Sequence, residues 1–217
     1  QITVIMGPSG CGKTTLLKSF NRFLELTDGT QITGEVLVDG QNIYDREVDV
    51  TEVRKTVGLL AQRPSPLPMS IYDNVVYGMH IHKMKKDRRE YKAAVRHYLE
   101  IAGLWDEVGK RLHDPATGLS IGQQQRLCLA HALVHDPTVL LLDEPASGLD
   151  PRARVELREL LRELRNLGKT ILISSHILPE LEELCTSVAI VDHGQVLAQG
   201  RIADIEHETD VITHRCV

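Results

Sequence analysis

The chain has 217 residues, of which 42% are hydrophobic, so it is long enough to bury a core and is not expected to be disordered. Its formal charge of −5 comes from 30 acidic and 25 basic residues with no long basic block, so no nucleic-acid partner is predicted. Apolar runs stop at roughly six residues, whereas a spanning helix needs about 20, so no membrane-spanning helix is predicted.

The first part of the chain alternates between short apolar runs and turns. A β-branched run predicts a strand at residues 1–6, and after a glycine-rich turn the pattern predicts a helix at residues 13–24. Further strands are predicted at residues 34–39 and 56–61, where apolar positions alternate or run together. The prolines within residues 64–68 exclude regular structure immediately afterwards.

The middle of the chain changes to a helical period. Apolar positions repeat at three and four through residues 91–102, and Asp87 with Glu90 has the spacing of a capping box, so a helix is predicted there. A second helix is predicted at residues 120–135, before an Asp-Pro pair that ends it. We therefore expect residues 63–136 to form a helical insertion.

The last part of the chain returns to alternating strands and helices. The predicted strands are residues 138–142, 170–174, 187–191 and 195–198, and the predicted helices are residues 151–167 and 179–185. The first of these strands is uninterrupted and apolar, which is typical of a strand buried on both faces of a parallel sheet. The pattern predicts an α/β fold, with a parallel sheet built from residues 1–62 and 137–217 and covered by helices.

The turn after the first predicted strand carries the sequence GPSGCGKT, which matches the phosphate-loop pattern G-x-x-x-x-G-K-[ST] between a strand and a helix. Backbone NH groups in such a loop surround phosphate oxygens, and the helix start adds a positive dipole. Lys13 is expected to reach the β- and γ-phosphates, and the Thr14 hydroxyl to ligate Mg²⁺. The predicted nucleotide-binding residues here are Gly7, Pro8, Ser9, Gly10, Cys11, Gly12, Lys13, Thr14 and Thr15.

Two acidic residues, Asp143 and Glu144, follow the apolar strand at residues 138–142. The carboxyl ends of strands in a parallel sheet form the edge where ligands bind, so both side chains are expected beside the phosphate loop. Asp143 is predicted to hold Mg²⁺ and Glu144 to polarise the attacking water. By itself, an Asp-Glu pair at the end of a strand is more often a solvated turn. The presence of a phosphate loop in the same chain favours the catalytic interpretation instead.

Four further segments appear in the order found in the ATP-binding cassette (ABC) family, which the chain resembles over nearly its whole length. Gln62 is similar to the Q-loop glutamine, and LSIGQQQR at residues 119–126 is similar to the family signature. SGLD, ending at Asp150, resembles the D-loop, and His176 resembles the switch histidine. The resemblance implies that Gln62 contacts nucleotide and metal, and that His176 acts in catalysis.

The resemblance also implies a head-to-tail homodimer that buries two molecules of ATP with Mg²⁺. Each ATP would be held by the phosphate loop of one subunit and by signature residues of the other, namely Ser120, Ile121, Gly122 and Gln123. The free NH groups at the start of the helix at residues 120–135 would favour a γ-phosphate. Integral membrane permease subunits are implied as further partners, with the chain peripheral at the cytoplasmic face of the inner membrane.

The two halves of the chain resemble different branches of the family. The segment from Phe20 to Arg126 resembles the ATPase subunits of phosphate importers, whereas SSHILPELEELC and VAIVDHGQVLAQG resemble exporter-type ATPases. Phosphate import is the favoured interpretation. An exporter-type ATPase, a low-turnover cassette that binds ATP as a dimerisation switch, and a nucleotide-gated clamp remain alternatives.

Three features depart from the family pattern. Ile121 replaces a glycine of the signature, and it either slows the composite site or packs against the helical insertion. His131 stands where an arginine is usual. The first strands of a small antiparallel β subdomain, with the aromatic residue that stacks on adenine, are expected to precede Gln1, so only part of that subdomain is expected here.

Overall fold

The computed structural model describes residues 1–81, 84, 87–176, 184–201 and 204. The strands are β1 (Ile2–Met6), β2 (Leu37–Val38), β3 (Gln41–Asn42), β4 (Val57–Leu60), β5 (Val139–Asp143), β6 (Thr170–Ser175), β7 (Ser187–Asp192) and β8 (Gln195–Gly200). The helices are α1 (Lys13–Ser19), α2 (Val50–Thr56), α3 (Ile71–Ile81), α4 (Arg88–Ile101), α5 (Trp105–Val108), α6 (Ile121–Leu133) and α7 (Pro151–Asn166), with 3₁₀ turns at Phe23–Leu26 and Ala116–Gly118.

Within the described residues, the principal sheet has six strands in the order β4-β5-β6-β1-β7-β8. The first five run parallel, and β8 pairs antiparallel with β7 at the edge. The strands β2 and β3 form a separate antiparallel pair. The predicted α/β fold, a mainly parallel sheet with a small antiparallel part, is confirmed.

Both faces of the sheet are buried at its centre. Leu140 and Leu142 of β5 belong to the core beneath α7, whereas Leu141 belongs to the core beneath α1. Successive side chains of a strand point to opposite faces, so a continuous apolar run is needed where helices cover both sides. The apolar stripe of α7, which includes Leu157 and Leu161, faces the first of these cores.

The helices α3, α4, α5 and α6 enclose a third core of their own, to which α4 contributes Val95 and Leu99. The predicted capping box at the start of α4 is confirmed, because Asp87 accepts the Glu90 NH and Glu90 accepts the Asp87 NH. The helix α6 also packs against β4, and its Leu129 and Leu133 enter the core of the sheet. It therefore joins the helical part to the sheet.

Some predicted boundaries were wrong. The helix predicted at residues 13–24 ends at Ser19, because Arg22 takes a left-handed conformation while its guanidinium donates to the carbonyls of Ile43 and Val48. Only two residues of the strand predicted at residues 34–39 pair in a sheet.

The helices α2, α3 and α5 were not predicted. The sequence of α2 did not indicate a helix, because it contains the β-branched Val50, Thr51 and Val53. In the structure Asp49 caps this helix and the buried Val53 anchors it. The helix predicted at residues 179–185 falls mostly outside the described residues. Among the described residues, no helix combines the length and the apolar composition that crossing a bilayer requires.

Candidate functional site

The loop between β1 and α1 forms one side of a cleft of about 230 Å³. Gly10 and Gly12 have φ angles of 83° and 107°, a left-handed conformation that L side chains rarely adopt. Gly7 is required for a different reason, since a Cβ atom there would lie 2.0 Å from the Val191 carbonyl oxygen. The residues that line the cleft are Ser9, Gly10, Gly12, Lys13, Thr14, Thr15, Gln62 and Glu144.

The Lys13 ammonium is buried at the bottom of this cleft. It donates hydrogen bonds to the carbonyl oxygens of Gly7, at 2.8 Å, and Pro8, at 3.1 Å. Its Nζ lies 3.5 Å from Oε1 of Glu144. The cation is therefore oriented by the loop itself and faces the space that the cleft leaves for a phosphate group.

The carboxylate of Asp143 is held by two hydroxyl groups. Thr14 Oγ1 lies 3.0 Å from Oδ1 and 2.8 Å from Oδ2, and Ser174 Oγ donates to Oδ1 at 2.6 Å. A carboxylate beside a hydroxyl oxygen is a donor set that suits Mg²⁺, so these residues fit the predicted metal. Sequence reasoning missed Ser174, although a serine inside an apolar buried strand was a usable signal.

Glu144 follows directly, and its backbone has a φ of 46°. Its NH donates to Ser174, both to Oγ at 2.8 Å and to the carbonyl oxygen at 3.2 Å. Its carboxylate, which is 12% exposed, lies between Lys13 and Nδ1 of His176, the latter 2.8 Å from Oε2. The cleft therefore contains a cation and a fixed carboxylate, and an imidazole contacts that carboxylate.

The signature residues are not among those that line this cleft. They form the start of α6, where Ser120 accepts the Gln123 NH and Gln123 Oε1 accepts the Ser120 NH. Ile121 is 60% exposed, so the expectation that it packs against the helical insertion is wrong. Asp150 caps α7 by accepting the Ala153 NH at 2.8 Å.

Cys11 has a different environment from the rest of the loop. Its side chain is buried in the core with Ile5 and Leu17 and does not line the cleft. Its carbonyl accepts a hydrogen bond of 2.9 Å from the Gly194 NH, so the turn between β7 and β8 supports the loop from behind. Sequence reasoning missed this support, which no local pattern indicates.

A glycine loop around a lysine, facing two acidic residues at the carboxyl end of a parallel strand, defines the nucleotide-binding site of a P-loop ATPase. The family model described as ABC transporter matches residues 1–147. The chain therefore belongs to the ABC transporter family, whose ATP-binding subunits hydrolyse ATP and assemble with membrane permeases.

Curated relatives and a solved structure agree with this assignment. The chain is 46% identical over 197 residues to the phosphate import ATP-binding protein PstB of Shewanella denitrificans, covering 91% of this chain and 72% of that protein. The PstB of Pseudoalteromonas translucida is also 46% identical over 91% of this chain and 71% of its own length. CbiO1 from Clostridium perfringens, part of the ABC transporter complex cbiONQ, aligns with a TM-score of 0.78 and 32% identity over 99% of this chain and 82% of its own.

Proposed function

We propose that this chain is the ATPase subunit of a phosphate importer. The observation that carries the proposal is the 46% identity, over 91% of the chain, to two proteins named for phosphate import. This identity extends past the N-terminal half, which weakens the exporter-type alternative. The cleft around Lys13 supports the ATPase part of the proposal. It presents the cation and the Glu144 carboxylate, and Asp143 lies next to it through its hydrogen bond with Thr14. These are the charges that phosphoryl transfer to water requires.

We assign the following roles within this proposal. Lys13 binds the β- and γ-phosphates, and Thr14, Asp143 and Gln62 hold Mg²⁺, which neutralises phosphate charge when bound. Glu144 orients the attacking water and accepts its proton. His176 fixes the carboxylate of Glu144 through the 2.8 Å contact at Oε2.

The active form in this proposal is a head-to-tail homodimer with two ATP molecules. Two features of the chain support it. The start of α6 presents the exposed Ile121 outside the cleft, so the signature residues are available to a second subunit. The first NH groups of this helix, near Ser120, provide donors and a positive dipole for a partner's γ-phosphate.

The proposed permease contact is a groove of about 510 Å³ between the end of β4 and the helices α3 and α6. Prolines 64 and 66 form one wall, and Tyr77, Cys128 and His131 lie on the others. Such a mixed apolar and polar groove suits a short helix from a membrane subunit. This contact would place the chain as a peripheral subunit on the cytoplasmic face of the inner membrane.

The proposal is tested by complementation of a bacterial strain that lacks the ATPase subunit of its phosphate importer. The gene, or its Lys13→Ala variant as the control, is expressed, and uptake of radioactive phosphate is measured at low external phosphate. We expect uptake with the parent chain and none with the variant. If the parent chain supports no phosphate uptake and copurifies with exporter permeases, the phosphate assignment is wrong.

A further inference from the structure

Gln125 of α6 is buried, with 3% of its surface exposed, at the junction of the helical part and the sheet. Its Nε2 donates a 2.7 Å hydrogen bond to the carbonyl oxygen of Pro145. A carbonyl oxygen only accepts hydrogen bonds, so the amide nitrogen must be the group that faces it. The contact joins α6 to the residue immediately after Glu144.

The loop that receives this hydrogen bond is tightly built. Ser147 NH donates to the Glu144 carbonyl at 3.0 Å, and Leu149 NH donates to the Ala146 carbonyl at 3.3 Å. Leu149 of this loop packs in the same apolar core as Leu129 and Leu133 of α6. The hydrogen bond and this packing together join α6 to the loop that begins one peptide unit after Glu144.

We propose that Gln125 is a positioning residue, which couples the place of α6 to the place of the Glu144 carboxylate. The proposal rests on the role of Glu144 given above. The same helix begins with Ser120 and Ile121, the residues assigned to contact a partner's ATP. Gln125 thus connects the contact of α6 with a partner's ATP to the orientation of the Glu144 carboxylate, which activates water.

The environment of the amide oxygen, Oε1, indicates that Gln125 does not serve to stabilise the fold. Oε1 is buried and accepts no hydrogen bond from the described part of the chain. A buried polar atom without a partner lowers stability, whereas a hydrocarbon side chain of similar size removes this penalty. Replacement by methionine removes this penalty but leaves the buried Pro145 carbonyl without its donor, so the two effects oppose each other and the melting temperature is expected to stay close to that of the parent chain.

The test compares Gln125→Met with Tyr98→Phe, each of which loses one side-chain donor to a backbone carbonyl. Tyr98 donates to Val134 at the far end of α6, within the helical part, and so serves as the matched control. We expect Gln125→Met to lower kcat about tenfold with the KM for ATP within about twofold, because small misplacements of reacting groups lower rates strongly. Tyr98→Phe should retain the parent kcat.

The Glu144→Gln variant separates this proposal from the role of Glu144. If Glu144→Gln abolishes turnover and Gln125→Met retains the parent kcat, the coupling is wrong and the role of Glu144 stands. If Glu144→Gln turns over normally, both are wrong. A higher KM together with a lower melting temperature in Gln125→Met would indicate packing alone and overturn the coupling; Gln125→Leu repeats the test if the methionine variant does not fold.

Discussion

Nδ1 of His176 lies 2.8 Å from Oε2 of Glu144, although the two residues are 32 positions apart. Glu144 follows β5 and His176 follows the neighbouring strand β6, so the pairing of these strands brings the two residues together. Lys13 approaches the other oxygen of the same carboxylate at 3.5 Å. Glu144 is therefore restrained from both sides, which is the condition for orienting a water molecule.

His176→Ala should lower kcat at least tenfold while ATP still binds, because Glu144 loses the contact that fixes its Oε2. Lys13 remains in place to bind phosphate. The measurement is steady-state ATP hydrolysis together with equilibrium binding of a fluorescent ATP analogue. His97→Ala, at an exposed position on α4, is the control and should retain the parent rate. A normal rate for His176→Ala would remove His176 from the mechanism.

Ser174→Ala should raise the Mg²⁺ concentration for half-maximal ATPase activity about tenfold, because the group that orients a metal ligand affects metal affinity strongly. The variant removes the 2.6 Å hydrogen bond to Asp143 and one of the two acceptors for the Glu144 NH. A Mg²⁺ titration at saturating ATP measures this. Thr3→Ala, which removes a hydroxyl contact between β1 and β7, should leave the titration unchanged. An unchanged Ser174→Ala titration would contradict the Mg²⁺ assignment.

Ile121→Gly should raise turnover severalfold and strengthen ATP-dependent dimerisation, because the branched side chain stands where a backbone NH is expected to approach a partner's phosphate. The side chain is 60% exposed, so its removal costs little burial. Glycine in a helix costs about 1 kcal/mol, so only a small drop in melting temperature is expected. Ile121→Ala should be intermediate in turnover. Equal or lower turnover in both variants would show that Ile121 does not slow the site.

Maleimide should label Cys128 slowly at neutral pH and faster under alkaline conditions. Burial raises the pKa of the Cys128 thiol above its ordinary value of 9.0, although a backbone hydrogen bond from Ser65 opposes the shift, and only the thiolate reacts. Cys128 borders the proposed permease groove, so assembly with the membrane subunits should slow labelling further. Peptide mapping by mass spectrometry measures this site separately, with Cys128→Ser as the control. Equal labelling of free and assembled protein would place the permease contact elsewhere.

The sequence alone determined the features that depend on neighbouring residues. The strand, glycine loop and helix around Lys13 are consecutive, so a local pattern specifies both their structure and their chemistry. The capping box of Asp87 and Glu90 and the apolar run of β5 were identified for the same reason. The helix α2 was missed, because the burial of Val53 holds it in place despite β-branched residues that disfavour a helix.

Only the tertiary structure decided which distant side chains meet. Ser174 and Asp143 are 31 positions apart, and their hydrogen bond depends on the pairing of β6 with β5. The bond from Gln125 to Pro145 depends on how the helical part packs against the sheet. Strand order and helix packing arise from burial of the whole apolar surface, which is non-directional, so no local residue pattern specifies these pairs.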